Sequence, residues 1–338
     1  MLPADGPTKL RFGSDQEPGI RRRGVKRFSY LNEATGKEPS KLDLERIRRL
    51  AVPPAWTDVW IAADADSHLQ ATGRDARGRK QYRYHDEFTS SRAENKFADL
   101  VPFGNALGGL RRRVDRDLRR TDLDHDRVVA TLVRLLDVTS LRIGNAEYER
   151  SNNSYGLTTL RNRHATVRQS TIHLTFPGKS AHLFDLSVDS ARLAAVVRGC
   201  QHLPGQRLFE YRAADGSTRA IGSSDVNQYL AEHAGAGATA KTFRTWNATV
   251  RAAERLADAA QRGATKRVVN DVIDQVADHL GNTRAVCRGS YIHPAVVEAF
   301  IDGTLLKRWQ RPVGQRPSGL MVAERRTLRL LRAANGQR

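Results

Sequence analysis

The apolar side chains of this chain change their period near residue 90, and that change limits the folds open to it. Before it they lie in short alternating runs; after it they recur every three to four residues. A small β-rich unit followed by a larger helical one is the arrangement that buries both patterns. Residues 25–30, 56–63, 68–72 and 80–85 read as short strands, with Gly73 and Gly78 marking the turn between the last two. Residues 42–50 read as a helix stopped by Pro53 and Pro54.

Beyond the break, Ser90 and Ser91 are placed to cap a helix that begins at Arg92. Val128, Val129, Leu132, Leu135 and Leu136 make an apolar face over 126–138. Val268, Val269, Val272, Ile273, Val276, Ala277 and Leu280 make a second over 266–280, and Gly281 is a natural C-cap. Helices are also expected at 189–199, 224–233, 241–262, 294–301 and 320–334. One stretch interrupts them: 171–176 alternates, Pro177-Gly178-Lys179-Ser180 turns, and 181–186 returns as a β-hairpin. The expected class is α+β, with a mobile basic arm over 1–24, a β-rich domain over 25–88 and a mainly helical domain over 89–338 that carries the hairpin. A length of 338 residues suits two such domains.

The net charge of +19 calls for a polyanionic partner, nucleic acid above all. Of the 56 basic residues 46 are Arg, the better fork for phosphate oxygens. No apolar run reaches the roughly 18 residues of a membrane span, and residues 1–5 lack a signal-peptide pattern. With Cys200 and Cys287 alone a disulfide framework is excluded, and the chain reads as cytosolic. Cys200 and His202 lack a second pair with metal-ligand spacing, and no Walker-type phosphate loop is present, so neither metal nor ATP chemistry is expected.

Five places could carry chemistry. In Gly78–His85, alternation puts Gln81 and Arg83 on one face and Tyr82 and Tyr84 on the other, a set able to touch bases and phosphates. Arg142 stands between Leu141 and Ile143, which would hold its charge partly out of water. Lys179 sits in the hairpin turn, and an amine can give up a proton where a guanidinium cannot. Lys241 and Arg244 open a helix, whose first turn favours an anion. Asn282 follows the next helix, and Tyr291, a candidate nucleophile, comes nine residues later. Each also has a plainer account: a half-buried strand, a salt-bridged Arg, a solvated Lys, a helix start with an aromatic staple, a hydrogen-bonded Tyr.

Taken in order, these motifs resemble the catalytic set of the type IB DNA topoisomerases, in their compact poxvirus-like and bacterial branch, over roughly residues 25–305. The resemblance rests on Gly-Arg-Lys-Gln-Tyr-Arg-Tyr at 78–84, on Arg142 ahead of Ser154-Tyr155-Gly156-Leu157-Thr158-Thr159-Leu160-Arg161, on the Gly178-Lys179 turn, on Lys241-x-x-Arg244, and on Asn282 before Tyr291. It implies that Tyr291 is the nucleophile, that Arg142 and Arg244 bind the scissile phosphate, and that Lys179 is the general acid. Asn282 fills a position that is often His; Asn can donate a hydrogen bond there but cannot shuttle protons. Gln81, Tyr82, Tyr84, Tyr148 and Lys241 are implied as DNA contacts. The implied protein is a monomer that clamps double-stranded DNA between its domains. It relaxes supercoils through a 3′-phosphotyrosyl link without cofactor, ATP or metal, in the bacterial cytoplasm on the nucleoid. Two alternatives stand beside it. A tyrosine recombinase would show His-x-x-Arg and a helical N-terminal domain. A non-enzymatic architectural DNA-binding protein would not need Lys179, Asn282 and Tyr291 in this order.

Overall fold

A computed structural model of the chain describes residues 10–336, apart from 26, 77, 147–148, 151–152 and 316–318, and gives only the backbone of 91–95. It divides into two compact units, Met1–Lys96 and Phe97–Arg338. The helix that opens near the division covers Asp86–Glu94, so it starts ahead of the expected cap at Ser90 and Ser91.

The N-terminal unit is an antiparallel sheet in the order β2-β1-β3-β4-β5, made of Ile20–Arg23 (β1), Ser29–Asn32 (β2), Thr57–Ile61 (β3), Leu69–Arg74 (β4) and Lys80–Tyr84 (β5). The helix Lys41–Arg49 covers one face, and its start is fixed by a reciprocal Ser40–Asp43 capping box. Ile47 of that helix packs with Ile20, Val59, Ile61 and Ala71, while Trp60, Ala62 and Leu69 form a smaller cluster.

The expected arm over 1–24 is corrected for its described part. Ile20 is wholly buried, residues 20–23 pair with β2, and Ile20 and Arg21 pair with β3 as well. The run of arginines reads as solvated, yet Arg21 and Arg22 have partners. Arg21 bonds Glu33 at 2.8 Å, and Arg22 donates to the Pro53 carbonyl at 3.2 Å while its guanidinium lies 4.2 Å over the Phe28 ring. Alternation sends Ile20 inward and Arg21 and Arg23 to the other face, while Arg22 shares the face of Ile20 and reaches out to the carbonyls of Pro53 and Trp56.

The C-terminal unit is mainly helical, with a three-stranded antiparallel sheet of Ala165–Arg168 (β6), Thr171–Pro177 (β7) and Leu183–Asp189 (β8) and a two-stranded one of Glu210–Arg212 (β9) and Thr218–Ala220 (β10). The hairpin expected at 171–186 is the β7–β8 pair, in register from Thr171↔Asp189 to Pro177↔Leu183. The long helix Ala240–Asp258 joins two cores. Phe243 and Trp246 at its start pack with Phe103, Leu132 and Leu174; Ala252, Ala253 and Leu256 at its end pack with Lys266–Leu280 and Pro294–Ile301. Arg111 ties the helices Leu100–Asp117, His125–Thr139 and Val322–Asn335 together by forking to Asp137 and Glu324 at 2.8 Å. Those two carboxylates outweigh burial and raise its pKa above the ordinary value. Among the described residues no helix is long and apolar enough to cross a membrane.

Candidate active site

Two helix C-termini and one loop converge on the proposed catalytic groups of the C-terminal unit. The helix His125–Thr139 ends at Ser140, whose left-handed backbone (φ 56°) turns the chain into the Leu141–Asn145 loop. The helix Lys266–Leu280 ends at Gly281, also left-handed (φ 57°), and Asn282 donates its N–H back to the Ala277 carbonyl at 2.9 Å. Arg244 lies between these ends. It is 3% exposed, and its two Nη groups donate to the carbonyls of Ser140 and Leu280. Arg142 donates through Nη2 to the Gly281 carbonyl at 3.2 Å and to Asn282 Oδ1. Both guanidiniums thus sit where helix dipoles are negative, which offsets part of the cost of burying them.

That compensation is incomplete. Nε of Arg244, Nη1 of Arg142 and Nδ2 of Asn282 are buried donors without an acceptor. Burial, then the charge of Arg142, lowers the pKa of Arg244 to about 10; the Tyr291 phenol works the other way. Burial likewise holds Arg142 below its ordinary value. Both remain charged at neutral pH. Three unfilled donors on two cations and an amide describe a site made for an oxyanion.

Tyr291 closes the short helix Arg284–Tyr291, capped at its start by Thr283. Its ring is half-buried, with the Arg244 guanidinium 5.1 Å from its centroid. Thr249, fully buried one turn beyond Arg244, holds the backbone there. Its hydroxyl donates to the Tyr291 carbonyl at 3.1 Å and accepts the His293 N–H at 3.2 Å. The β7–β8 hairpin packs on the same corner: a Cβ added to Gly281 would stand 2.7 Å from His182 Cδ2 and 2.8 Å from Phe184 Cζ. Lys179 is exposed at the tip of that hairpin.

Residues 85–311 match the family model of eukaryotic DNA topoisomerase I, catalytic core, and residues 27–75 match that of bacterial DNA topoisomerase IB, N-terminal domain. The chain belongs to the type IB DNA topoisomerase family. It is 30% identical over 284 residues to DNA topoisomerase 1B of Acanthamoeba polyphaga mimivirus, covering 81% of this chain and 84% of that protein. DNA topoisomerase 1 of Mycosarcoma maydis is 28% identical over 59% of this chain and 22% of its own length. DNA topoisomerase 1B of Vaccinia virus (strain Copenhagen) is 23% identical over 45% of this chain and 48% of its own.

Of the topoisomerase residues expected from sequence, Arg142, Arg244, Asn282 and Tyr291 form one cluster. Lys241 is exposed in the first turn of Ala240–Asp258, one turn ahead of Arg244. Tyr148 lies outside the described residues. Gln81, Tyr82 and Tyr84 belong to the N-terminal unit, on its edge strand β5. The tyrosine rings stack 6.1 Å apart at 9°, half exposed, as the alternation of β5 requires; Gln81 is tethered through Nε2 to Asp75 at 2.9 Å.

Two positioning elements escaped the sequence reading. Thr249 is one; its five-residue offset from Arg244 is the only signal, and it is weak. The other is Gly156, read only as part of a motif. A Cβ there would stand 2.5 Å from the Gly144 nitrogen and 2.7 Å from the Arg142 carbonyl. Leu157 and Thr158 donate backbone N–H groups to the carbonyls of Arg142 and Ile143 at 2.9 and 2.7 Å. The motif is therefore the clamp that sets the Arg142 loop.

Proposed function

We propose that this topoisomerase relaxes supercoiled DNA by transient cleavage of one strand through a 3′-phosphotyrosyl link at Tyr291, needing neither nucleotide nor metal. The reading is carried by one observation: Arg142 and Arg244 converge on Tyr291 with unfilled buried donors. Double-stranded DNA is the substrate that the family implies.

In the proposed reaction the Tyr291 Oη gives up its proton to water and attacks the scissile phosphorus, and the same proton is returned from water to the phenol when the link is resealed. The bond from phosphorus to the 5′ oxygen breaks, and Lys179 supplies the proton that makes the leaving group a 5′-hydroxyl. Negative charge grows on the non-bridging oxygens as the phosphorus becomes five-coordinate. The free donors of Arg142, Arg244 and Asn282 are already fixed in place, so they stabilise that charge with little reorganisation. The broken strand turns about the intact one, and the 5′-hydroxyl attacks the phosphotyrosine to reseal it. One phosphodiester is exchanged for another, so no external energy source enters. We further propose that the chain acts as a monomer closing around DNA, with Gln81, Tyr82, Tyr84 and Lys241 as contacts, on the nucleoid in the cytoplasm.

The test is plasmid relaxation in EDTA without ATP, on positively and negatively supercoiled DNA. Relaxation of both without recombinant products is expected. Recombinant products would favour the recombinase, and binding without relaxation the architectural protein.

A further inference from the structure

The helices Thr304–Gln310 and Val322–Asn335 enclose a cavity of about 380 Å³ in the C-terminal unit. Lys307, Arg308, Arg311, Arg326 and Arg329 line it, and among the described residues no carboxylate does. Trp309 is its buried floor, with the Arg326 guanidinium 5.6 Å over the ring.

The five cations do not have equal parts. Arg329 is structural: it donates to the carbonyls of Pro312 at 2.8 Å, Arg311 at 3.1 Å and Arg308. It closes the end of the short helix and so fixes the wall that carries Arg308 and Arg311. Burial, then repulsion from Arg311 and Arg326, lowers its pKa. Arg326 is anchored on Trp309, yet its Nε is buried without an acceptor. Like charges held around one cavity repel, and a buried guanidinium N–H without an acceptor has lost its water without regaining a hydrogen bond. A multi-oxygen anion relieves both at once.

We propose that this cavity is a phosphate-binding site, separate from the Arg142–Arg244 pair, that holds a backbone phosphate of DNA outside the scissile position. The choice of DNA rests on the topoisomerase reading; a free oligophosphate offers the same oxygens. A second phosphate contact would keep the duplex on the enzyme while the scissile bond is open.

The test uses the full chain with Arg308→Gln and Arg311→Gln together. Their backbone carbonyls, which Arg329 needs, stay in place. DNA affinity is measured against salt on duplexes, and inorganic pyrophosphate is titrated calorimetrically. The double variant is expected to bind DNA about tenfold more weakly at 0.15 M salt, with a salt slope shallower by roughly 0.9 for one lost phosphate contact. It should bind pyrophosphate more weakly and cleave saturating DNA at the parent rate. Arg308→Lys/Arg311→Lys, which keeps the charge, should retain the slope and controls for folding. Unchanged affinity and slope in the glutamine variant overturn the proposal. If only pyrophosphate binding falls, the DNA assignment is overturned in favour of a free phosphate ligand. Failure of the topoisomerase reading is seen separately, as a parent protein that does not relax plasmid.

Discussion

Thr249 holds Tyr291 by its backbone: one hydroxyl, wholly buried, bonds the Tyr291 carbonyl at 3.1 Å and the His293 N–H at 3.2 Å. Thr249 and Arg244 share a helix, so the guanidinium proposed to bind phosphate and the backbone of the proposed nucleophile are set by one rigid element. Thr249→Val keeps the shape but strands both backbone groups. We expect a loss of stability of about 1–3 kcal/mol and single-turnover cleavage slowed by about tenfold, with Thr249→Ser restoring the rate. Cleavage kinetics with thermal melts check this. Equal rates for the Val variant and the parent would remove the positioning role.

Asn282 accepts from Arg142 through Oδ1 and keeps Nδ2 buried without a partner. If Nδ2 donates to the phosphate, Asn282→Ala should slow cleavage by about 10²–10³. Asn282→Asp should be slower still, because its carboxylate would engage Arg142 and repel the phosphate. An Asp variant faster than the Ala variant would show that the amide does not face the substrate.

Lys179 stands exposed at the hairpin tip and is the proposed proton donor. Lys179→Ala is expected to cut cleavage by about 10²–10⁴, the usual range for a general acid. Replacing the 5′-bridging oxygen by sulfur, a better leaving group, should restore the rate. An unrescued variant would rule out the acid role.

His279 has a buried Nε2 without a partner, and its pKa is lowered to about 4 by burial, then by Arg251, Arg244 and Arg255. In the unfolded chain the group returns to about 6.5. Between these values the unfolded state binds the proton and the folded state does not, so stability falls as pH drops from about 6.5 towards 4. His279→Gln cannot titrate there. Urea unfolding at pH 7.5 and pH 5 should show a smaller loss for the variant than for the parent, and equal losses would contradict the assignment.

How far the fold could be read from sequence depended on whether local pattern or distant packing shaped each element. The helix Lys266–Leu280 is legible to the residue, because an unbroken apolar stripe ends at the glycine that a left-handed cap favours. The β7–β8 hairpin is legible for the same local reason. Leu100–Asp117 is far less legible, because Pro102, Gly104, Gly108 and Gly109 all weaken it locally. It forms because Gly104 lets the Trp246 ring approach, where a Cβ would be 2.5 Å from Cη2. The arginines of β1 read as an arm in sequence because the partners of Arg21 and Arg22 lie on other strands and loops.

The site divides in the same way. Each of Arg142, Lys179, Arg244, Asn282 and Tyr291 is weak alone, and it is the resemblance of the ordered motifs to the type IB topoisomerases that implies the set. The bonds that aim them run between distant segments, from Gly156 to the Arg142 loop and from Thr249 to Tyr291, and leave no periodic trace.

The central claim is that Tyr291 forms the covalent link to DNA, and the most direct measurement is adduct formation by the parent and Tyr291→Phe on one duplex substrate. The parent should give a protein–DNA adduct whose cross-linked peptide carries Tyr291 on a 3′ phosphate. The Phe variant should give none, while binding the duplex within about twofold of the parent, as expected when only the reacting hydroxyl is removed. An adduct recovered from the Phe variant would contradict the account.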